Sequence, residues 1–160
     1  MVDIPNYEGL YKFDLDLNQV YGIKRNRYLK NHINNNRYYR VTLCKNGKVK
    51  HFTIHRLVYM CNNPTEDISL FVIDHIDNNK LNNNIENLRK CCDSDNESNK
   101  KTMITNTTGY KNISKTKYGY KFQLYKKGKY HSKYFNNLQD AIEYRDIKVK
   151  EICGEFANLG

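Results

Sequence analysis

Short alternating runs of apolar and polar residues fill the first third of the chain and predict β-strands. These runs are Tyr11 to Leu15, Gln19 to Ile23, Tyr38 to Leu43 and Val49 to Ile54. Asn46-Gly47, between the last two runs, is a strong signal for a two-residue hairpin turn. We therefore expect a small antiparallel sheet, followed by a short helix over His55 to Cys61.

The middle of the chain predicts two further strands and a helix. An apolar strand from Phe71 to Ile73 precedes a polar loop, and a second short strand follows over Ile85 to Arg89. The polar residues 93–101 have helical character, with Asp93 or Ser94 as the N-cap. Residues 102–108 show no apolar periodicity, and we interpret them as a linker.

The last third has the clearest pattern. One predicted strand has an apolar face and a polar, basic face, formed respectively by Tyr120, Phe122 and Leu124 and by Lys121, Gln123 and Tyr125. A turn at Lys127-Gly128 leads to a strand whose outward set is predicted to be Lys129, His131 and Lys133. Apolar residues then recur at helical spacing up to Gly154, which indicates a helix packed on the sheet.

These elements predict an α+β fold in consecutive segments. Residues 1–50 form a small N-terminal antiparallel β-module, and residues 51–101 form a central module. The linker over 102–108 leads to residues 109–160, a three-stranded antiparallel sheet packed on one helix.

Composition excludes several classes of protein. The chain has 160 residues and a formal net charge of +10, and no apolar run approaches the roughly 20 residues that span a bilayer. No signal-peptide pattern opens the chain, so we expect an intracellular protein that is not secreted. Its five cysteines include no Cys-x-x-Cys pair, which predicts reduced thiols and no zinc.

Charge is distributed unevenly along the chain. Residues 17–65 contain ten Lys or Arg and no acid, and residues 98–139 contain ten Lys and no acid. Residues 66–97 between them carry eight acids against three bases. Because long acid-free segments repel themselves until a polyanion neutralises them, we predict two nucleic-acid-binding arms. Acids in such surroundings indicate a bound cation, so the central segment is the candidate metal site.

An acid and an imidazole, Asp74 and His75, are adjacent at the end of the central apolar strand. Phosphodiester hydrolysis needs a hard oxygen ligand for Mg²⁺ and a neutral imidazole that can deprotonate water. Successive strand residues point to opposite faces, so both side chains can share a site only if the strand ends, twists or bulges there. Such a pair alone is more often structural than catalytic.

The residues around this pair resemble the HNH endonucleases of the ββα-metal fold, in particular the phage-type homing enzymes. The matching positions are His55-Arg56-Leu57-Val58, Asp74-His75-Ile76-Asp77, Asn79, Asn82-Asn83, Asn87-Leu88-Arg89, Asn96 and Asn99. The resemblance implies His75 as general base and Asp74 and Asn96 as Mg²⁺ ligands, with Mn²⁺ as a substitute. It also implies that Asn87 fixes the loop and orients the imidazole. Because many relatives have His where this chain has Asn96, the chain is an H-N-N variant.

Both flanks resemble modules that accompany such nucleases. The segment from Ile4 to Lys30 is similar to the N-terminal module of homing-type enzymes, and that from Gly109 to Leu159 resembles the plant ethylene-response-factor type DNA-binding domain. In that family the sheet lies in the major groove and the helix packs behind it. The residues expected to contact DNA are Lys24, Arg25, Arg27, Arg89, Lys100, Lys101, Lys121, Gln123, Tyr125, Lys129 and His131.

The resulting hypothesis is a Mg²⁺-dependent endonuclease that acts on double-stranded DNA, with no membrane or small-molecule partner. A monomer or weak dimer with one such site should nick, and a viral enzyme would act in the cytoplasm or nucleus of its host. Two alternatives stay open: a DNA-binding regulator with a decayed nuclease site, and an RNA-binding protein. The joint presence of Asp74, His75, Asn87 and Asn96 argues against the first and is unexplained by the second.

Overall fold

Antiparallel hairpins and three α-helices build the chain, which confirms the predicted α+β class. The computed structural model describes residues 1–160 and divides into two units, Met1–Cys91 and Cys92–Gly160. None of the helices combines the length and the apolar character that crossing a membrane requires.

Two small sheets open the first unit. The first, in sequential order, consists of β1 (Val2–Asp3), β2 (Tyr11–Asp14), β3 (Gln19–Gly22) and β4 (Arg27–Tyr28). The second consists of β5 (His32–Ile33), β6 (Tyr39–Lys45) and β7 (Lys48–Thr53). The four strands predicted from alternation are confirmed as β2, β3, β6 and β7. The two-residue strands β1, β4 and β5 are too short to show an alternating pattern.

A helix and a β-hairpin complete the first unit. Helix α1 (Ile54–Asn62) confirms the predicted helix, and β8 (Val72–His75) pairs antiparallel with β9 (Leu88–Cys91). The strand predicted over Ile85 to Arg89 is wrong in its first half, where a 3-10 turn spans Ile85–Asn87. This turn forms because the Asn87 N–H bonds to the Asn84 carbonyl at 2.9 Å.

One hydrophobic core serves the whole first unit. Phe13 from the first sheet, Leu43 from the second and Leu57 from α1 are fully buried in it, together with Ile73 and Leu88 of the β8–β9 hairpin. The core is therefore continuous across residue 50, where sequence analysis placed a module boundary. That boundary and the one after residue 101 stay predictions.

The second unit places a three-stranded sheet on a long helix. Its elements are α2 (Asp93–Asn99), β10 (Ile113–Thr116), β11 (Gly119–Lys126), β12 (Lys129–Phe135) and α3 (Leu138–Cys153). Phe122 and Leu124 of β11 are buried against Val149 and Cys153 of α3, which confirms the predicted apolar face. The helix ends at Gly154, which has a φ of 54° and confirms the predicted stop.

The pairing of β11 with β12 corrects one expectation about the sheet. Lys129 lies opposite Lys126, His131 opposite Leu124 and Lys133 opposite Phe122. Paired residues share a face, so these three side chains lie on the α3 side, and the prediction of an outward set Lys129, His131 and Lys133 is wrong. The alternation of residues along one strand does not predict how that strand is aligned with its neighbour. The turn at Lys127-Gly128 sets this register. The outward residues of β12 are Tyr130, Ser132 and Tyr134.

Replacing Phe13 by Ala is expected to destabilise the whole first unit, including β8 and β9. Phe13 is completely buried in the shared core, and Phe to Ala changes at such positions cost about 3–5 kcal/mol of unfolding free energy. Leu17→Ala, at a position that is 57% exposed, is the control and should cost under about 0.5 kcal/mol. Urea denaturation and amide hydrogen exchange measure both effects. Unchanged protection of β8 and β9 in Phe13→Ala would contradict a shared core.

Candidate active site

The strand β8 carries Asp74 and ends at His75. The Ile76 N–H bonds to the Asn87 carbonyl at 2.9 Å just beyond the strand end, where the loop begins. Asp74 and His75 are 7% and 4% exposed, so both polar side chains need partners within the protein.

Asn83 fixes the orientation of the His75 ring. The Asn83 Oδ1 atom lies 3.1 Å from Nε2 of His75, and the Asn83 side chain is itself buried. A carboxamide oxygen can only accept a hydrogen bond, so Nε2 of His75 must be the donor. In the neutral imidazole this leaves Nδ1 as the nitrogen with a lone pair. Asn83 therefore selects the tautomer in which Nδ1 is the base.

Two aromatic rings pack against His75. The ring centroid of His55 lies 4.9 Å away in an edge-on arrangement, and that of Tyr38 lies 5.9 Å away, nearly parallel. His55 and Tyr38 also contact each other, with centroids 4.9 Å apart. His55 of α1 thus packs against the end of strand β8.

His55 is a neutral histidine. Burial, together with the nearby His75 and Arg56, lowers the pKa of His55 to about 3. Its Nδ1 atom is buried and makes no hydrogen bond within the protein. A charged ring here would lie beside the imidazole of His75, so the neutral state of His55 avoids repulsion when His75 takes up a proton.

Arg89 pairs with the other member of the predicted catalytic pair, Asp74. These residues lie opposite each other on β9 and β8, and both Nε and Nη2 of Arg89 lie 3.1 Å from Oδ2 of Asp74. The guanidinium and the buried carboxylate form an ion pair with charge-assisted hydrogen bonds. Sequence analysis placed Arg89 among the DNA contacts, whereas the structure gives it a partner inside the site.

Asn87 braces the loop between the two strands. Its side chain donates to Oδ1 of Asp77 and to the Asn82 carbonyl, both at 2.9 Å. Burial raises the pKa of Asp77, but hydrogen bonds from Asn82, Asn79 and Asn87 outweigh it and the net shift is downward. Asn87 thus holds the loop, and Asn83 contacts the imidazole. Asn78, with a φ of 58°, adopts the left-handed conformation, which asparagine tolerates better than most residues.

The remaining predicted site residues lie on the surface or in the second unit. Asn96 is half-buried on α2. Lys24, Arg25 and Arg27 are exposed around the turn between β3 and β4. In the second unit Lys121 and His131 are half-buried, and the exposed residues are Lys100, Lys101, Gln123, Tyr125 and Lys129.

The outward face of the β11–β12 hairpin is rich in tyrosine. Tyr125, Tyr130 and Tyr134 are 68%, 58% and 67% exposed. The Tyr130 hydroxyl donates to Oε1 of Gln123 at 2.9 Å, so the amide NH₂ of Gln123 is left to face a ligand. The Lys121 ammonium group lies 5.7 Å and 5.4 Å from the ring centroids of Tyr130 and Tyr134.

Sequence reasoning did not assign roles to Asn83, Tyr38 or Tyr130. Asn83 is one of 23 asparagines, and no pattern in the sequence distinguishes it from its neighbours. Tyr38 lies in a segment whose only signal was alternation. Tyr130 would have been identified as an outward-facing neighbour of Gln123 if the residue pairs between β11 and β12 had been predicted.

Comparison with known proteins identifies the family. Residues 52–98 match the family model described as HNH endonuclease. Protein 3.8 of Escherichia phage T7 is 33% identical over 91 residues, which cover 56% of this chain and 75% of that protein. The chain belongs to the HNH endonuclease family.

This HNH endonuclease has a further relative in the DNA endonuclease I-HmuI of Bacillus phage SP01. The two are 43% identical over 89 residues, which cover 54% of this chain and 49% of the phage enzyme. The chain thus spans about half the length of that relative. A solved structure of I-HmuI, described as DNA binding and cleavage by the HNH homing endonuclease, is 39% identical and covers 56% of this chain and 51% of its own, with a TM-score of 0.48.

The depressed pKa of His55 predicts a loss of stability on acidification. The unfolded ring binds a proton near pH 6.5 while the folded ring does so only near pH 3, so stability falls as the pH drops between these values. The slope is roughly 1.4 kcal/mol per pH unit. When the pH is lowered from 6.5 to 5, the unfolding free energy of wild type should therefore fall by about 2 kcal/mol more than that of His55→Phe. Urea denaturation at the two pH values measures the difference. The exposed His51→Phe is the control, and equal losses in all three proteins would refute the prediction.

Proposed function

We propose that this chain is a Mg²⁺-dependent endonuclease that nicks double-stranded DNA. The observation that carries the proposal is the His75 imidazole, which lies within the family-matched segment and is held by Asn83 in the tautomer of a general base. The relative I-HmuI is named a DNA endonuclease, which supports DNA as the substrate.

His75 would take a proton from the attacking water at Nδ1. The charge that forms on the ring is stabilised through Nε2–H, whose hydrogen bond to Asn83 becomes charge-assisted. The neutral His55 beside the ring adds no positive charge that would oppose this step. Asn87 would keep the loop that carries Asn83 in place through its bonds to Asp77 and the Asn82 carbonyl.

Asp74 and Asn96 are the proposed ligands of the divalent ion. The carboxylate of Asp74 is paired with Arg89, and carboxylate and amide oxygens are hard ligands that suit Mg²⁺ or Mn²⁺. No group of three or more His, Cys, Asp or Glu side chains could hold a metal ion, so the remaining ligands would be phosphate and water. When bound, the ion would supply Lewis-acid stabilisation of the phosphate charge.

The tyrosine-rich outward face of β11 and β12 is the proposed DNA-binding surface of the second unit. Lys121, Gln123 and Tyr125 extend from β11, and Tyr130 orients the Gln123 amide as a donor. Lys129 and His131 would contact DNA only from the other side of the sheet. The exposed basic residues Lys24, Arg25, Arg27, Lys100 and Lys101 would contact phosphates.

The proposal includes a monomer or weak dimer that acts inside a cell. A monomer with one hydrolytic site cuts one strand per encounter, which gives a nick. All five cysteines are free thiols, as a reducing compartment would keep them.

Conversion of supercoiled plasmid to the nicked form tests the catalytic proposal. Wild type should nick with Mg²⁺ and not with EDTA, and His75→Ala and Asp74→Ala should each lower the rate by about 10²–10⁴-fold. Asn83→Ala should lower it by about tenfold or more, whereas the exposed neighbour Asn84→Ala should leave it unchanged. Asn83→Asp should move the acidic limb of the pH–rate profile by about one unit to higher pH, because a carboxylate stabilises the imidazolium.

Three outcomes would contradict this proposal or one of its parts. Tight DNA binding without cleavage across Mg²⁺, Mn²⁺ and several sequences would instead support a DNA-binding regulator. Nicking that survives His75→Ala would mean that another group is the base. An acidic limb unchanged in Asn83→Asp would remove Asn83 from its role in setting the tautomer.

Gel-shift titrations against several DNA sequences test the proposed surface. Gln123→Ala should reduce the preference among sequences, because a base-edge contact of this kind is worth about 1–3 kcal/mol. Tyr130→Phe should also reduce the preference among sequences, because it removes the hydrogen bond that orients the Gln123 amide. Lys129→Ala, on the α3 side, should have the smaller effect. A larger effect of Lys129→Ala would assign DNA to the opposite face.

A further inference from the structure

Helix α2 has no apolar side chain of its own. Its seven residues are Asp93, Ser94, Asp95, Asn96, Glu97, Ser98 and Asn99. A helix of this length does not persist alone in water, and helices in proteins are normally held by burying an apolar face. Polar contacts with the rest of the second unit must therefore hold α2 in place.

Lys126, the last residue of β11, supplies the central contacts. Its side chain is only 3% exposed, and its ammonium group forms an ion pair with Oδ1 of Asp95 at 2.8 Å. The same group donates to the Ser94 carbonyl at 2.8 Å and to Oγ of Ser98 at 2.7 Å. An ammonium group has three donors, and all three acceptors here belong to α2.

The position of Lys126 in β11 explains why a buried lysine follows an apolar face. Phe122 and Leu124 precede it at alternate positions and are buried against α3, whereas Lys121, Gln123 and Tyr125 face outward. Strand β11 therefore carries the proposed DNA surface on one side and the anchor of α2 on the other.

Two further side chains hold the end of α2. The Lys111 ammonium group donates to the Ser98 carbonyl at 2.7 Å, and the Asn158 amide donates to the Asn99 carbonyl at 2.6 Å. Within α2, the hydrogen bond from Lys126 is the main cause that lowers the pKa of Asp95. The helix is thus anchored at both ends by residues from the last 50 positions of the chain.

We infer that Lys126 is a positioning residue of the nuclease, which holds α2 and with it the proposed metal ligand Asn96. The C-terminal sheet would then be a structural requirement for metal binding and not a detachable DNA-binding domain. This inference rests on the proposed function in so far as Asn96 binds the metal. The anchoring of α2 by Lys126 is testable separately.

The test compares Lys126→Met with Lys127→Met in the full-length chain. Lys127 is the adjacent, exposed lysine, so its replacement removes the same charge without touching α2. Lys126→Met should raise the Mg²⁺ concentration for half-maximal plasmid nicking by at least about tenfold, since hydrogen bonds to a charged group are lost. Its affinity for DNA measured in EDTA should change less than about twofold. Hydrogen exchange should show faster exchange in α2 and unchanged exchange in β11 and β12.

A milder pair of variants covers the case in which Lys126→Met fails to fold. Ser98→Ala removes one acceptor of the Lys126 ammonium group, whereas Ser94→Ala leaves its contact intact because that contact is a backbone carbonyl. Ser98→Ala should raise the Mg²⁺ requirement about threefold to tenfold, and Ser94→Ala should not.

The outcomes separate this inference from the proposed function. Wild type that never nicks would refute the proposed function, while hydrogen exchange still decides whether Lys126 anchors α2. The inference alone would be refuted if wild type nicks DNA and Lys126→Met and Lys127→Met show the same Mg²⁺ dependence of nicking and the same protection of α2 from hydrogen exchange. The inference would also be refuted if Ser98→Ala lowered DNA affinity and the nicking rate by the same factor. The loss of nicking would then come from weaker DNA binding and not from weaker metal binding.

Discussion

Burial of polar and charged groups against specific partners is the constraint on which the candidate site depends. An imidazole, a carboxylate and an ammonium group are each removed from water here, and each is stable only because a specific acceptor or donor meets it. Asn83 accepts a hydrogen bond from His75, Arg89 forms an ion pair with Asp74, and Asp95 of α2 forms an ion pair with Lys126. Apolar packing builds the two units, but these polar pairs determine the geometry at which chemistry would occur.

The same constraint sets the electrostatics around His75. Burial lowers the pKa of its neighbour His55, so the proposed general base His75 packs against an uncharged ring. On the other strand, Arg89 balances the negative charge of Asp74. His55 and the Asp74–Arg89 pair therefore add no net charge beside His75.

Sequence patterns predicted those features that depend on one element at a time. Alternation predicted β2, β3, β6 and β7, helical spacing predicted α3, and the adjacent Asp74 and His75 marked the site. Features that depend on two elements were not predictable in this way. The register between β11 and β12 placed Lys129 on the unexpected face, and Arg89 proved to face Asp74 across the hairpin. Asn83 could not be distinguished from the many other asparagines in the sequence. Only its contact with the His75 ring in the structure indicates its role.

The family-matched segment, residues 52–98, is shorter than either structural unit and ends inside α2. Its first part shares a core with the N-terminal sheets, and its last six residues belong to a helix that the C-terminal strands hold. Recombination at the edges of the motif would therefore separate residues that must fold together. A gene exchange that carried residues 52–98 alone would leave behind the core partners of α1 and the residues that anchor α2.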